Sequence, residues 1–163
     1  MASNDINTTD LINIAIGIEK QGIAYYDVMA LSTWHEVASD LFRHLREMER
    51  GHLVIFQNML AELGEYGMPE KLTGEHKAYI ESLINSAVFT DEMAASELAT
   101  HIDNEEEALD IAIAAEKDTI LFYYNMGEIV PVPVGDTVHK LILEEKSHLA
   151  QLSELKQKLL GLK

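Results

Sequence analysis

The sequence predicts an all-α protein: an antiparallel four-helix bundle made of two helical hairpins, joined by one long, partly helical crossover. Three observations carry this expectation. Apolar residues recur at helical spacing in segments too long to be strands. Only three prolines, Pro69, Pro131 and Pro133, interrupt the 163 residues. The second half of the chain also repeats the pattern of the first.

The first helix is expected to start at the capping residues Thr8, Thr9 and Asp10 and to run through Leu11, Ile14, Ile18 and Met29 to about Leu31. Ser32 and Thr33 end it, and a second helix follows closely, from near His35 to Leu63. Gly64, Gly67 and Pro69 break that helix. Two shorter helical patterns then cover about Glu75–Ser86 and Asp91–Thr100. A third long helix opens at Asp103, with Glu106 completing a capping box and Glu105–Glu107 complementing the positive end of the helix, and runs to about Ile129. Pro131–Gly135 is expected to be non-helical, so that Asp136 starts the fourth helix, which ends near Leu160–Gly161. Short links join helices one and two, and three and four, so each pair is a hairpin. A helix of about 25 residues is about 37 Å long, and the crossover can return along that whole length. The chain thus reads as one domain, with hairpin one at about 9–63, the crossover at about 64–102 and hairpin two at about 103–160.

Composition narrows the function. With 28 acidic and 12 basic residues the formal charge is −16, and no basic patch relieves it, so nucleic acid and anionic membranes are not expected partners. The sequence contains no cysteine, which excludes disulfides, thiolate-held metals and cysteine nucleophiles. Met1–Asp10 is polar and acidic and does not resemble a secretion signal, and no apolar run is long enough to span a bilayer; a cytoplasmic location is therefore expected.

The repeat carries the chemistry. Residues 14–20, Ile-Ala-Ile-Gly-Ile-Glu-Lys, match residues 111–117, Ile-Ala-Ile-Ala-Ala-Glu-Lys, and at the same offset Ile23, Tyr26 and Met29 meet Ile120, Tyr123 and Met126. The second and fourth helices correspond at an offset of 96, where Leu45, Glu49, His52 and Leu53 meet Leu141, Glu145, His148 and Leu149. Each half supplies one Glu on its first helix and a Glu-x-x-His on its second. A single Glu-x-x-His means little, since 19 Glu and 7 His in this length give roughly 0.8 by chance. Two, each preceded by a lone Glu in an aliphatic setting, are a pattern.

Residues three apart share a helix face, so Glu49 with His52 and Glu145 with His148 can converge inside the bundle, with Glu19 and Glu116 beside them. Four ionised carboxylates in an apolar interior require compensating cations. Two divalent ions balance them, and the mixed oxygen and imidazole donors suit iron or manganese, with zinc as an adventitious occupant. Glu19, Glu49, His52, Glu116, Glu145 and His148 are therefore the candidate metal ligands and, through the metals, the candidate catalytic set. Tyr26 and Tyr123 follow their Glu by seven positions and are read either as core aromatics or as hydrogen-bond partners of the site carboxylates. His35, His44, His76, His101 and His139 have no matching partner in the other half and are read as ordinary surface or core histidines, and Met29, Met48 and Met126 as packing.

The set Glu19, Glu49-Arg50-Gly51-His52, Glu116 and Glu145-Lys146-Ser147-His148 resembles that of the ferritin-like di-iron carboxylate superfamily, and within it the rubrerythrin-like proteins. The resemblance spans Leu11–Leu152. It implies a ferritin-like bundle, two iron ions held by these six residues, a homodimer, and reduction of hydrogen peroxide or dioxygen. Two departures stand out. Rubrerythrins usually carry a rubredoxin domain that needs four cysteines, so here electrons are expected from an external donor protein or from the substrate. They also carry a further Glu three residues after the third-helix ligand, where this chain has Thr119. Gly22 occupies the matching place on helix one, and the two small residues are expected to leave room for dioxygen or peroxide. Ferroxidase activity with iron storage or detoxification, a di-manganese catalase-like protein, and a structural bundle with a residual metal site are the alternatives.

Overall fold

The computed structural model describes residues 5–66, 71–72 and 74–161. Six helices account for nearly all of it: α1 (Thr8–Ser32), α2 (Glu36–Glu62), α3 (Gly74–Ser86), α4 (Glu92–Thr100), α5 (Glu105–Ile129) and α6 (Val132–Leu159). A 3-10 turn over Leu63–Tyr66 extends α2. Gly67 and Pro69, read from sequence as helix breakers, lie outside the described residues. A two-residue antiparallel pairing, β1 (Ile6–Asn7) with β2 (Lys71–Leu72), ties the start of the chain to the crossover; too short for a periodic signal, it was not foreseen.

Local chemistry sets the helix ends. Asn7 caps α1 through a capping box, its Oδ1 accepting from Asp10 N at 3.0 Å while its own N–H donates to Asp10 Oδ2 at 2.9 Å. Asp91 caps α4, accepting from Ala94 N at 2.8 Å. The cap of α5 is Asn104, which accepts from Glu107 N at 2.9 Å, one residue later than the expected Asp103 and Glu106. Asn and Asp are equally good caps, so the residue pair alone does not select the register.

The expectation that Pro131–Gly135 is non-helical is overturned. Pro131 is the N-cap of α6, and Val132, Pro133 and Val134 form its first turn. Prolines at these positions cost no hydrogen bond, because the first N–H groups of a helix have no partner four residues back. Gly135 N already closes on Pro131 O at 2.9 Å. Gly135 is needed for another reason: a Cβ there would stand 2.8 Å from the carbonyl oxygen of Gly127, so its absence lets the ends of α5 and α6 meet closely.

The core falls into two lobes. One holds Leu11, Ile12 and Ala15 of α1, Phe56 and Met59 of α2, Phe122, Tyr123 and Met126 of α5, and Val138, Leu141 and Ile142 of α6. The other holds Tyr25, Tyr26 and Met29, then Phe42 and Leu45, then Leu109 and Ala112, and finally Leu152 and Leu155. Chain order within the lobes gives the helix directions: α1 and α6 run from the first lobe to the second, while α2 and α5 run back. The crossover follows the same axis. Leu63, Leu72 and Ile80 pack on the first lobe, and Phe89, Ala95 and Ala99 on the second. It therefore returns along the bundle, as the four-helix reading requires, with α4 lying on α1 and α3 on α5.

Candidate metal centre

In every long helix the switch between lobes is marked by a carboxylate. Glu19 lies between Ala15 and Tyr25, Glu49 between Leu45 and Phe56, Glu116 between Ala112 and Phe122, and Glu145 between Ile142 and Leu152. These four, with His52 and His148, are no more than 4% exposed, and apart from the tyrosines Thr8 is the only other buried polar side chain among the described residues. The interior is thus apolar at both ends, with a single polar belt across its middle.

The belt is reciprocal under the repeat. His52 Nδ1 lies 2.8 Å from Glu145 Oε1, 3.2 Å from Glu49 Oε2 and 3.7 Å from Glu19 Oε2. His148 Nδ1 lies 3.3 Å from Glu49 Oε1, 3.0 Å from Glu145 Oε2 and 3.9 Å from Glu116 Oε1. The two imidazoles are stacked, 5.5 Å apart and inclined by 16°. Two sets of four donor atoms result, each drawn together within 4.8 Å: Glu19, Glu49, His52 and Glu145, and Glu49, Glu116, Glu145 and His148. Glu49 and Glu145 belong to both.

Tyr26 and Tyr123 are buried and hydrogen-bonded, but to the carboxylate of the other half. The Tyr26 hydroxyl donates to Glu116 Oε1, and that of Tyr123 to Glu19 Oε1. Of the two readings open for these tyrosines, the hydrogen-bonding one describes their contacts, and both rings also pack in the core. His35, His44, His76, His101 and His139 are all exposed.

Protonation shows what so many buried carboxylates demand. Burial, followed by the charge of Glu49, pushes Glu19 well above the usual carboxylate range. Burial and the charges of Glu49 and Glu145 do the same to Glu116. Burial would also raise Glu49, but the facing imidazoles of His148 and His52 outweigh it and hold that carboxyl low. Burial opposes charge on His52, yet the close carboxylates of Glu145, Glu19 and Glu49 carry it far above the ordinary imidazole value. His148, by the same balance with Glu145 and Glu49, is pushed up to about 9. Burial and then the partner carboxylate raise both tyrosines, which stay neutral donors.

Protons do not complete this belt. His52 Nδ1, Glu145 Oε1 and His148 Nε2 are buried without a hydrogen-bond partner, and such atoms are costly in an interior. Two of the three point among the carboxylates. A pair of cations would use those lone pairs, and the oxygen-rich donor set with one imidazole per position fits iron or manganese.

Sequence reasoning missed one contact, and it placed room beside Gly22 and Thr119 without finding what walls it. Glu144 Oε2 accepts from His52 Nε2–H at 2.9 Å; the repeat, which pairs Glu144 with Met48, was the available signal. A cavity of about 270 Å³ runs between α1, α5 and the end of α3, walled by Ile14, Ile18, Leu83, Ile84, Phe89 and Phe122, with Glu19, Glu49 and Glu116 at its inner end. Gly22 and Thr119 both line it, and Asp118 braces its rim by accepting from Val88 N at 2.8 Å. Among the described residues no helix is long and apolar enough to cross a membrane.

The family model described as Rubrerythrin matches residues 10–156. Among solved structures, a crystal structure from Thermotoga maritima, of a candidate ferritin-like diiron-carboxylate protein, matches with a TM-score of 0.76 and 29% identity. The match covers 95% of this chain and 97% of that one. No curated protein matches the chain.

Proposed function

The chain belongs to the rubrerythrin family, and on that footing we propose that it is a non-haem di-iron oxidoreductase that reduces hydrogen peroxide or dioxygen. One observation carries this reading: the two buried donor sets that share Glu49 and Glu145. In it, Glu19 and His52 would hold one metal and Glu116 and His148 the other, with Glu49 and Glu145 available to both. Iron is the proposed metal, with manganese as the alternative. Two such ions supply a two-electron couple and polarise an O–O bond.

The protein's own part is positioning, neutralisation and access. Four carboxylates match the charge of two divalent ions. Tyr26 and Tyr123 hold Glu116 and Glu19 by hydrogen bonds and limit the rotation of these two carboxylates. The apolar walls of the cavity suit small uncharged oxidants rather than a hydrated cation, which favours peroxide or dioxygen over ferrous iron as the molecule arriving by that route. Electrons come from a separate donor protein or an organic reductant. A cytoplasmic homodimer completes the reading.

Ferroxidase activity is the second reading, favoured by the formal charge of −16, which draws cations to the surface. Metal analysis followed by anaerobic ferrous loading and separate additions of peroxide and oxygen tests both. The first reading expects two metals per chain and fast oxidation that a reductant reverses through many turnovers; a chain that binds no metal, or a ferrous protein inert to both oxidants, refutes it. Oxidation that ends in released or mineralised ferric iron selects the second. Size-exclusion chromatography tests the dimer, and only a closed cage would support storage.

A further inference from the structure

We infer that the two metal positions are unequal, and that Glu144 is the positioning residue that makes the Glu19–His52 position the tighter one. The inference rests on the di-metal reading above. Every contact in the belt has a twin under the repeat except one. His52 to Glu145 is matched by His148 to Glu49, His52 to Glu19 by His148 to Glu116, and Tyr26 to Glu116 by Tyr123 to Glu19. The bond from His52 Nε2–H to Glu144 Oε2, at 2.9 Å, stands alone. Glu144 corresponds to Met48, whose thioether is a weak acceptor, and His148 Nε2 is buried with no partner.

The consequence follows from imidazole chemistry. Both rings present Nδ1 to the carboxylates, so a neutral ring that donates its Nδ1 lone pair must carry its proton on Nε2. At His52 the Glu144 carboxylate fixes that tautomer, restrains ring rotation and makes Nδ1 more basic. At His148 nothing holds the ring in the same way. Partners of this kind change metal affinity by about 10- to 100-fold.

Two variants isolate the positions. Glu116→Gln leaves the Glu19–His52 set whole, and Glu19→Gln leaves the Glu116–His148 set whole; in each the amide oxygen still accepts from the tyrosine. Titrated with Co(II) against a competing chelator, Glu116→Gln is expected to bind its ion about 10- to 100-fold more tightly than Glu19→Gln. Adding Glu144→Ala should erase that advantage in the first background and leave the second unchanged, and Glu144→Gln, which keeps an acceptor, should restore part of it. In wild-type protein holding one Co(II), paramagnetic proton spectra should show one slowly exchanging imidazole N–H, absent in Glu144→Ala. Equal affinity in the two backgrounds, or an equal loss in both on Glu144→Ala, overturns the inference. Failure of the wild type to take up two ions would instead defeat the di-metal reading beneath it.

Discussion

Gly22 offers a sharp test of the cavity, because one position separates helix stability, metal binding and access. It lies three residues after Glu19 on α1 and lines the cavity of about 270 Å³. A Cβ built there would stand 3.4 Å from Glu49 Cγ and 3.8 Å from Glu49 Cδ, which is ordinary contact. Alanine therefore fits and brings its helix propensity, worth about 0.8–1 kcal/mol over glycine. For a domain of this size that raises Tm by about 2–4 °C, with two metals bound and an unchanged oxidation rate. Leucine adds three more carbons at the cavity's inner end. Its expected effect is at least a tenfold slower oxidation of the ferrous protein, equivalent to about 1.4 kcal/mol on the barrier, with the metal content intact. Stopped-flow absorbance after mixing with peroxide or oxygen, on samples of measured metal content, reads both quantities. A leucine variant that holds two metals and reacts at the parental rate refutes the access role. Loss of metal together with rate assigns Gly22 to the seating of Glu49 and refutes it too.

Other expected outcomes follow from the same geometry. Because Glu49 and Glu145 belong to both donor sets, Glu49→Ala or Glu145→Ala should abolish binding of the metal pair, whereas Glu19→Gln or Glu116→Gln should leave one metal per chain by elemental analysis. Tyr123→Phe strips Glu19 of a buried hydrogen bond, so the metal-free protein should lose about 1–3 kcal/mol in denaturant melts, with metal binding at the Glu19 position weakened more than at the other. Gly135→Ala would force a Cβ to within 2.8 Å of the Gly127 carbonyl oxygen; a cost of about 1–3 kcal/mol is expected, opposite in sign to Gly22→Ala, and an unchanged melting curve would show the helix ends free to separate. The pH dependence has a definite sign. His148 rises from 6.5 to about 9 on folding of the metal-free protein, so its stabilising share is full below pH 6.5 and vanishes as pH climbs through 9. The raised Glu19 and Glu116 act in the same direction. His148 alone should therefore cost the metal-free protein about 3 kcal/mol across that interval, with the raised His52 adding in the same direction, while metal-loaded protein, whose imidazoles are neutral throughout, should show no such slope.

The architecture was legible because each long helix repeats one motif, an apolar stretch, a carboxylate and another apolar stretch. Once the two halves are aligned, the six polar residues are the interruptions that recur at the switch between lobes. What the alignment could not supply was anything that breaks its symmetry. Glu144 is one case, visible only as a mismatch against Met48 until the fold brings it to His52. The cavity is another, since Leu83, Ile84 and Phe89 of its wall come from the crossover, which has no counterpart in the repeat. The tyrosines illustrate a subtler limit. Their spacing of seven placed them on the face of their own Glu, yet a phenol reaches across helices, and each one serves the opposite half. The start of α6 failed for a local reason, because proline was weighed as a breaker where the first helical turn tolerates it. A duplicated hairpin therefore specifies where two cations could lie, but its symmetric part can only make the two positions alike. Any division of labour between them must come from positions where the two halves differ, and Glu144 and the crossover wall are two such departures.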